Sequence, residues 1–361
     1  MQSLKEKTWV SISLDSMFNL ERGKEKNMAA LMEGHIPLVS ARKVNNGVKN
    51  FIATPTKVIK GGNVISLNND GDGGAGLAYY QPSDFALDTH VTALHPKNVV
   101  PPDALLYMTA SISKQHSIFG HGRSISLPRA KRIQDMLPVT NSGEPDYKYM
   151  AEYTKQKRLS LINKYRVHAQ KRIADLGEII ELPSLNEIEW KAFVIKDIAD
   201  VYSGHDIYAQ ERIDGTTPLV TAVGTNNGIG HFIGNENTSR AEKSISVVRN
   251  GASVCKAFYH KYSALYGNDC RRMKLKHSDS EFANLFITQM IEMQNKAFSY
   301  SRKLGTERLQ NLRIMLPVTD DGTPDYEYME QYAKNLMLRK YKQYLAYLDS
   351  KVKPDTATTN D

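Results

Sequence analysis

The sequence predicts an α+β protein made of two tandem mixed α/β, β-rich domains, each followed by a helix. Three observations predict this class. The chain has 361 residues, enough for two domains with their own cores. An internal repeat spans almost its whole length, and short β-rich runs come before longer helical stretches in each copy. Because the copies are alike, we expect a pseudo-two-fold internal repeat with paired helices.

The repeat is clearest near the end of each half. Residues 137–155 read LPVTNSGEPDYKYMAEYTK, and residues 316–334 read LPVTDDGTPDYEYMEQYAK, with 12 of 19 positions identical. The likeness continues upstream, where Trp9 pairs with Trp190 and PLVSARKVNNG pairs with PLVTAVGTNNG, both at an offset of 181 residues. The later blocks lie 179 residues apart, so the offset is nearly constant. Such a pattern indicates a tandem duplication.

Each half begins with short β-rich runs. They are IPLVSA, NVISL and LAYYQ in the first copy, and TPLVTA, ISVVRNG and VCKAFYH in the second. Gly and Asn turns such as 45–47 and 226–228 separate them. A helical stretch follows, predicted at Asp103–Lys114 in the first half and at Ser280–Lys296 in the second.

Each half closes with a longer helix, for which Asp146 or Asp325 provides an N-terminal cap. Apolar residues recur there at steps of three or four, which predicts one apolar face. The stripe comprises Leu159, Ile162, Tyr165, Ala169, Ile173, Leu176 and Ile180 in the first helix, and Leu338, Tyr341, Tyr344, Leu348 and Val352 in the second. Two matching stripes can pack on each other or on a partner; alternatively, each helix packs on its own domain.

Gly177 and Pro183 end the first closing helix and open a linker. The predicted boundaries are listed here in chain order: 1–146 for the first domain, 147–182 for the first spacer or dimerising helix with its linker, 183–325 for the second domain, 326–353 for the second spacer helix and 354–361 for a tail.

Composition limits the classes of partner and compartment. The net charge of +8 suits a polyanionic partner, although an ordinary basic soluble protein has the same balance. Cys255 and Cys270 show no spacing typical of a disulfide framework or a zinc site, which fits a reducing cytoplasm. With no run near 18 apolar residues and no apolar core of signal-peptide length, neither membrane insertion nor secretion is expected.

Motifs for catalysis fail their context tests. A Gly-x-Gly-x-x-Gly string at 71–76 would need to open a helix to bind a dinucleotide or S-adenosylmethionine, but the strand-like run GLAYYQ overlaps its end, so we expect a hairpin turn. Asp146, Glu152 and Lys155 have the wrong spacing for a metal-dependent nuclease. We therefore expect no catalytic residue and no metal site in this chain.

Four blocks recur in order: Trp before a strand, Ile36–Ala41 leading to the Asn-Asn-Gly turn, the arginines Arg123 and Arg302, and LPVT with Pro-Asp-Tyr-x-Tyr-Met. In this order the chain resembles the specificity subunits of type I restriction-modification systems and, more closely, the BcgI-like type IIB recognition subunits. The resemblance covers nearly the whole chain, in both copies. The closing helices look short for a typical type I subunit, which favours the BcgI-like or another compact arrangement without excluding type I.

The resemblance implies that each half is a target-recognition domain that reads one part of a split site in double-stranded DNA. It also implies that the helices set the spacing between the two parts and dock the catalytic subunits. By the same resemblance this chain is not an enzyme and binds no cofactor. S-adenosylmethionine is then expected on a partner DNA methyltransferase subunit, which is fused to or accompanied by an endonuclease in some systems.

Arginine, lysine and asparagine in the divergent loops are the candidate DNA contacts, because Arg pairs with guanine, Asn with adenine, and Lys or Arg with phosphate. The candidates are Arg42, Lys43, Asn45, Asn46, Lys114, His116, Arg123 and Arg129 in the first half, and Thr225, Asn226, Asn227, Arg249, Asn250, Arg302, Lys303 and Arg308 in the second. Arg123 and Arg302 are equivalent, so we expect them to hold phosphate. The Asn-Asn-Gly segments fit tight-turn chemistry equally well.

Candidate contacts to a protein partner lie on the closing helices and their first turns. They are Tyr147, Tyr149, Tyr153, Ile162 and Tyr165, and Tyr326, Tyr328, Tyr332, Tyr341 and Tyr344. Two other classes remain open from the residues alone. One is a self-sufficient nuclease or methyltransferase, for which no usable motif is present. The other is a free-standing duplicated DNA-binding protein or scaffold without a catalytic partner.

Overall fold

The computed structural model describes residues 3–27, 30–71, 74–120, 122–299 and 301–351. The chain divides into two compact units, residues 1–165 and 166–361, which we call unit 1 and unit 2. The domain boundaries given above stay a prediction. Val352 and the proposed tail at 354–361 lie outside the described residues.

Among the described residues, unit 1 contains three sheets and four α-helical segments. Its strands are β1 (Trp9–Ser13), β2 (Phe18–Arg22), β3 (Glu33–Val39), β4 (Val48–Ile52), β5 (Val64–Asn68), β6 (Ala78–Gln81), β7 (Ala86–Leu87), β8 (Val91–Pro96) and β9 (Gln134–Pro138). Its helices are α1 (Leu14–Met17), α2 (Pro102–Ser113), α3 (Leu127–Arg132) and the first part of α4 (Tyr147–Leu176). The described sheets have the strand orders β1-β9, β2-β8-β5-β6 and β4-β3-β7.

Unit 2 repeats these elements in the same order. Its strands are β10 (Trp190–Val194), β11 (Ala199–Ser203), β12 (Asp214–Val220), β13 (Ile229–Ile233), β14 (Ser244–Val248), β15 (Ala257–His260), β16 (Leu265–Tyr266), β17 (Cys270–Leu275) and β18 (Arg313–Pro317). Its helices, besides the end of α4, are α5 (Ile195–Ile198), α6 (Glu281–Glu292), α7 (Thr306–Gln310) and α8 (Tyr326–Lys351). The orders β10-β18, β11-β17-β14-β15 and β13-β12-β16 match those of unit 1, which confirms the predicted α+β repeat.

Each unit has its own core between the four-stranded sheet and its second helix. Alternate strand residues on one face of the sheet pack against one stripe of that helix. In unit 1 these include Ile65, Leu67, Leu94, Leu105 and Met108, and in unit 2 Ile245, Val247, Met273, Ile287 and Ile291. Since equivalent elements meet in both units, the sheet and helix form a common frame for the loops above them.

The helix predicted at Ser280–Lys296 is shorter in the structure. α6 ends at Glu292, and a separate 3-10 turn covers Asn295–Ala297. The amide of Gln294 donates to the carbonyl of Ile291 at 3.0 Å, and such an i to i−3 bond tightens the last turn. The α2 helix, in contrast, closely matches its prediction.

Both closing helices begin at their predicted aspartate caps, and α4 ends at the predicted Gly177, whereas the predicted end of the second helix at 353 lies outside the described residues. Oδ1 of Asp146 accepts from the amide of Tyr149 at 2.9 Å, and Oδ1 of Asp325 accepts from Tyr328 at 2.8 Å. These bonds satisfy amides that have no partner within the helix. At the other end, α4 stops at Leu176 because Gly177 has φ +80°, a left-handed conformation that favours glycine.

Within unit 2, the last part of α4 lies against α8 in an antiparallel arrangement. Arg166 pairs with Asp349 at 2.5 Å, while further along the chain Ile180 donates its amide to Oδ1 of Asn335 at 3.1 Å. Ala169 is fully buried at this seam. Each closing helix also contacts its own unit, since Arg158 pairs with Asp103 in unit 1. Both of the packing modes left open by the sequence therefore occur.

Three positions of the predicted apolar stripe are wrong. Leu159 is 45% exposed, and Ile180 lies beyond the end of α4 and is 55% exposed. Tyr344 is 45% exposed, whereas Leu345 is half-buried beside the buried Leu348. With 3.6 residues per turn, the step after Tyr341 must be four rather than three to stay on the buried face.

No described helix is both long enough and apolar enough to cross a membrane.

Candidate nucleic-acid interface

Most candidate DNA contacts of unit 1 lie in two of three neighbouring loops, A and C, and loop B contacts both of them. Loop A covers residues 41–47 between β3 and β4, loop B covers 69–77 between β5 and β6, and loop C covers 114–125 after α2. Residues 72–73 and 121, which include Gly73 of the glycine string and His121, lie outside the described residues. The equivalent segments of unit 2 are loops A′ (222–228), B′ (249–256) and C′ (293–304).

In unit 1, the strands on either side of loop B form polar contacts with the backbone of Arg42 in loop A. The carbonyl of Arg42 accepts from Nδ2 of Asn68 at 2.9 Å and from the hydroxyl of Tyr79 at 3.0 Å. A Cβ on Gly74 would lie 3.4 Å from the carbonyl oxygen of Ala41, so the two loops are in van der Waals contact. Loop A therefore has a fixed position beside loop B.

Loops B and C of unit 1 are also in direct contact. The amide of Ile125 donates to the carbonyl of Asn69 at 2.7 Å. Gly76 has φ +82°, and a Cβ there would lie 2.6 Å from the ring of Phe119 and 2.9 Å from Cα of His116. The end of the glycine string is thus a turn that packs on loop C and leads into β6, which confirms the predicted turn.

Unit 2 joins its loops in the same way. A Cβ on Gly224 would lie 2.3 Å from Oγ of Ser253, which puts loop A′ against loop B′. The amide of Leu304 donates to the carbonyl of Arg249 at 2.8 Å, which is the counterpart of the bond from Ile125 to Asn69. Each unit therefore gathers three loops, distant in sequence, at one edge of its frame.

Several candidate side chains are engaged in holding these loops. Nη1 of Arg129 donates to the carbonyl of Ser124 at 2.6 Å, and Nη1 of Arg308 donates to that of Lys303 at 2.8 Å. These are equivalent bonds in the two copies, so they brace loops C and C′. Arg42 has a similar task, since its Nη1 donates to the carbonyl of Val48 at 3.3 Å.

The two asparagines of each Asn-Asn-Gly turn have different surroundings. Asn46 and Asn227 have φ values of +54° and +55°, and their Nδ2 atoms donate to the carbonyls of Tyr80 at 2.9 Å and Tyr259 at 3.3 Å. All four asparagines are exposed and all have a left-handed backbone, so these side-chain bonds are what set the second one apart. The second asparagine therefore has the tight-turn role, and the first presents its amide to solvent.

Loops B and B′ each form a polar contact with the segment before β8 or β17. The carboxylate lies in the loop in unit 1 and in the facing segment in unit 2. In unit 1, Asp70 contacts Nδ1 of His90 at 2.9 Å; in unit 2 the equivalent of His90 is Asp269, which accepts from Asn250 at 2.7 Å and Arg249 at 3.0 Å. The hydrogen bond to Asp70 raises the pKa of His90, and the nearby carboxylate charge acts in the same direction, whereas burial opposes it. Asp70, His90 and Asp269 were not among the site residues predicted from the sequence. A position-by-position comparison of the two repeats would have found them.

The remaining candidate DNA contacts are exposed. In unit 1 they are Lys43, Lys114, His116 and Arg123, together with Asn45, and in unit 2 they are Thr225, Asn226, Arg302 and Lys303. Arg123 and Arg302 stand at equivalent positions of loops C and C′, next to tight backbone turns. The structure thus brings the exposed set together with the residues that hold the loops in place.

The candidate partner residues differ in burial. Tyr149 and Tyr328 are buried, and Tyr328 donates its hydroxyl to the carbonyl of Pro183 at 2.9 Å. Tyr147 and Tyr326 pack against the cores of their own units. The others are half-buried or exposed on α4 and α8: Tyr153, Ile162, Tyr165, Tyr332, Tyr341 and Tyr344.

The fold defines a duplicated protein in which one frame, present twice, holds two different sets of polar loops. A family model described as the type I restriction modification DNA specificity domain matches residues 6–164 and 187–344. The chain belongs to this family. It is accordingly a DNA-recognition subunit of the restriction-modification class and not itself a catalyst.

Among characterised proteins, the chain is 29% identical over 324 residues to the specificity subunit of the type II restriction enzyme BcgI from Heyndrickxia coagulans, covering 88% of this chain and 92% of that protein. The type I S subunit from M. genitalium aligns over 97% of this chain and 94% of its own, with 16% identity and a TM-score of 0.49. The HsdS subunit from Thermoanaerobacter tengcongensis aligns over 96% and 92%, with 14% identity and a TM-score of 0.33.

Proposed function

We propose that this chain reads a bipartite target in double-stranded DNA, one part per unit, and carries that specificity to a methyltransferase and endonuclease complex. The observation that supports this most is the convergence of loops A, B and C in one unit and of loops A′, B′ and C′ in the other. The frames have the same sheet orders, whereas the loop side chains differ. Two domains with the same sheet topology but different loop residues are suited to recognising two different DNA sequences.

The exposed loop residues divide into two roles in this proposal. Arg123 and Arg302 hold phosphate, because a residue present in both readers cannot by itself distinguish their targets. Lys43 and Thr225 contact base edges, where a lysine can donate to guanine. Their equivalents in the other unit are Gly224 and Val44, so both positions differ between the two readers. Arg42, Asn46, Asn227, Arg129, Arg308, Arg249 and Asn250 position the loops.

The catalytic partner docks on the closing helices. Leu161 and Val167 are exposed on α4, and Leu336 and Tyr347 are exposed on α8. Exposed apolar side chains together with tyrosines are typical of protein interfaces. Tyr149 and Tyr328 are left out of this surface because they are buried in their own units. In this proposal the partner is a DNA methyltransferase that binds S-adenosylmethionine.

Selection of bound sequences from random double-stranded DNA tests the proposal. The full chain, with its partner methyltransferase, should select two separated short sequences. Lys43→Ala should alter one of them, and Thr225→Ala should alter the other. Lys60→Ala provides a control, since Lys60 is exposed and pairs with Asp84 away from the loops. Selection of one continuous sequence, or an effect of each variant on both parts, would contradict the proposal.

A further inference from the structure

An open groove in unit 1 is formed mainly by elements outside the DNA loops described above, and Lys114 and Gln115 of loop C are among its lining residues. It has a volume of about 680 Å³ and is formed by β1, α2, β9 and the first turns of α4. The aromatic rings of Trp9, Tyr107 and Tyr153 line it, and Tyr107 meets Tyr153 edge to face at 5.6 Å between ring centroids. The groove therefore combines apolar walls with access from solvent.

Asp135 is the polar centre of this groove. Its side chain is buried, and Oδ1 accepts from the hydroxyl of Ser111 at 2.6 Å. Oδ2 has no hydrogen-bond partner among the described residues. A buried carboxylate oxygen without a donor is costly, because the desolvation is not compensated. The arrangement therefore favours a ligand that brings a donor.

The charged and titratable groups facing Asp135 do not supply that donor. Lys114 at the end of α2 and Lys157 on α4 line the groove, yet neither forms an ion pair with Asp135 within the described part of the chain. Lys157 instead lies over the ring of Tyr153 at 5.5 Å. Burial raises the pKa of Asp135 to about 6. The hydrogen bond from Ser111, a backbone bond at Met136 and the charge of Lys114 act in the opposite direction and lower it. At pH 7.5 the carboxyl is mainly ionised.

Unit 2 shows that the fold does not require this carboxylate. The equivalent of Asp135 is Ile314, which is buried in the core. Ser111 and Lys114 correspond to Met290 and Met293, so the polar set of the groove is replaced by apolar residues. Since the equivalent unit folds without this carboxylate, Asp135 is a candidate for binding a ligand.

We propose that this groove is a socket for one arginine side chain of the catalytic partner, whose guanidinium donates to Oδ2 of Asp135. Arginine fits better than lysine, because a planar guanidinium stacks on aromatic rings while its edge donates to a carboxylate. Arginine and aromatic residues are also enriched among the residues that dominate interface energies. This inference rests on the proposed function, since it assumes a protein partner.

The first test uses the full chain labelled with ¹³C at the aspartate carboxyls. The probe is N-acetyl-arginine methylamide, and its neutral counterpart is N-acetyl-citrulline methylamide. Only the arginine probe should lower the pKa of Asp135, and each unit of that change corresponds to about a tenfold tighter binding of the ionised form. An equal response to both probes would overturn the inference. The inference would also be overturned if the arginine probe bound only to the Lys114→Met variant. That result would mean that Lys114 of the wild-type chain already occupies the position proposed for the guanidinium.

The second test separates the socket from the proposed function. Asp135→Asn keeps the side-chain volume, and Asp135→Ile copies unit 2, so at least one is expected to fold; Asp84→Asn removes an exposed carboxylate as a matched control. Both Asp135 variants should lose affinity for the purified methyltransferase by about tenfold or more while selecting the same DNA as the wild type. Unchanged partner affinity in a folded variant contradicts the socket alone. Failure of the wild-type chain to select DNA contradicts the proposed function instead.

Discussion

Units 1 and 2 share a frame but differ in the polar groups placed on it. Asp135 of unit 1 corresponds to Ile314, and the contact between Asp70 and His90 corresponds to the one between Asn250 and Asp269. In contrast, the caps at Asp146 and Asp325 and the braces at Arg129 and Arg308 are the same. The comparison separates residues that hold the fold from residues that are free to define what each unit binds.

The largest effects are expected where the shared frame is most tightly packed. A Cβ on Gly23 would lie 2.0 Å from the carbonyl oxygen of Asp88, and one on the equivalent Gly204 would lie 2.3 Å from that of Gly267. Substituting either glycine with alanine should lower the free energy of unfolding of its own unit by about 3 kcal/mol, because backbone must move. Hydrogen exchange measured by mass spectrometry can assign the loss to one unit. Gly120→Ala, with open space around it, is the control.

Equal effects in both units are predicted for the shared arginines. Arg123→Ala and Arg302→Ala should each weaken DNA binding by about tenfold, or ~1.4 kcal/mol, and reduce the slope of log affinity against log salt by about 0.9. Neither should change which bases are selected. A changed base preference in either variant would show that the shared arginine reads sequence, and the division into frame and reader would fail at this position.

The two helix caps should differ in strength, although their geometry is the same. Lys7 pairs with Asp146 at 2.7 Å, but its equivalent in unit 2 is Ile188. Burial raises the pKa of Asp146, but the Lys7 bond, the Tyr149 amide and nearby positive charge together bring it below its usual value of 3.8. Replacement by alanine should therefore cost about 1 kcal/mol more at Asp146 than at Asp325 at pH 7.

The pH dependence of that difference has a definite sign. A lowered carboxyl pKa gives stability that is present above the unfolded value and is lost as pH falls through the folded value. The extra stability from Asp146 should thus begin to fall below about pH 4, the usual aspartate value, and be lost once the pH is below the lowered folded pKa. Urea unfolding of both variants at pH 7 and at a series of pH values below 4 checks this, and a difference that does not shrink as the pH falls would exclude the ion pair as its cause.

The smallest predicted effect concerns Asp70 and His90. The raised pKa of His90 means that their contact stabilises unit 1 fully below pH 6.5 and weakens as pH rises through the raised value. Both side chains are substantially exposed, so solvent screening limits the effect to about 0.5 kcal/mol or less. NMR titration of His90 should give a lower pKa in Asp70→Asn, which copies unit 2. No change would mean that another group raises the pKa.

The local features were predictable from sequence, while the sites required the fold. Asp146 and Gly177 were predicted because caps and helix ends depend on neighbouring residues. The contact of Gly76 with Phe119 joins residues 43 positions apart, and no local pattern indicates it. Asp135 lies in a short strand flanked by polar Gln134, so its burial depends on packing of α2 over β9, as its bond to Ser111 shows. Tyr344 was misplaced because the step along the buried face varies between three and four residues.

Exchange of the loops tests the central claim most directly. In the exchanged chain, loops A, B and C of unit 1 are replaced by the sequences of A′, B′ and C′, and bound DNA is selected from random sequences with the partner methyltransferase. If the frames are equivalent and the loops are the readers, both parts of the selected target should become the part read by unit 2. Selection of the original two-part target by a folded exchanged chain would contradict this account.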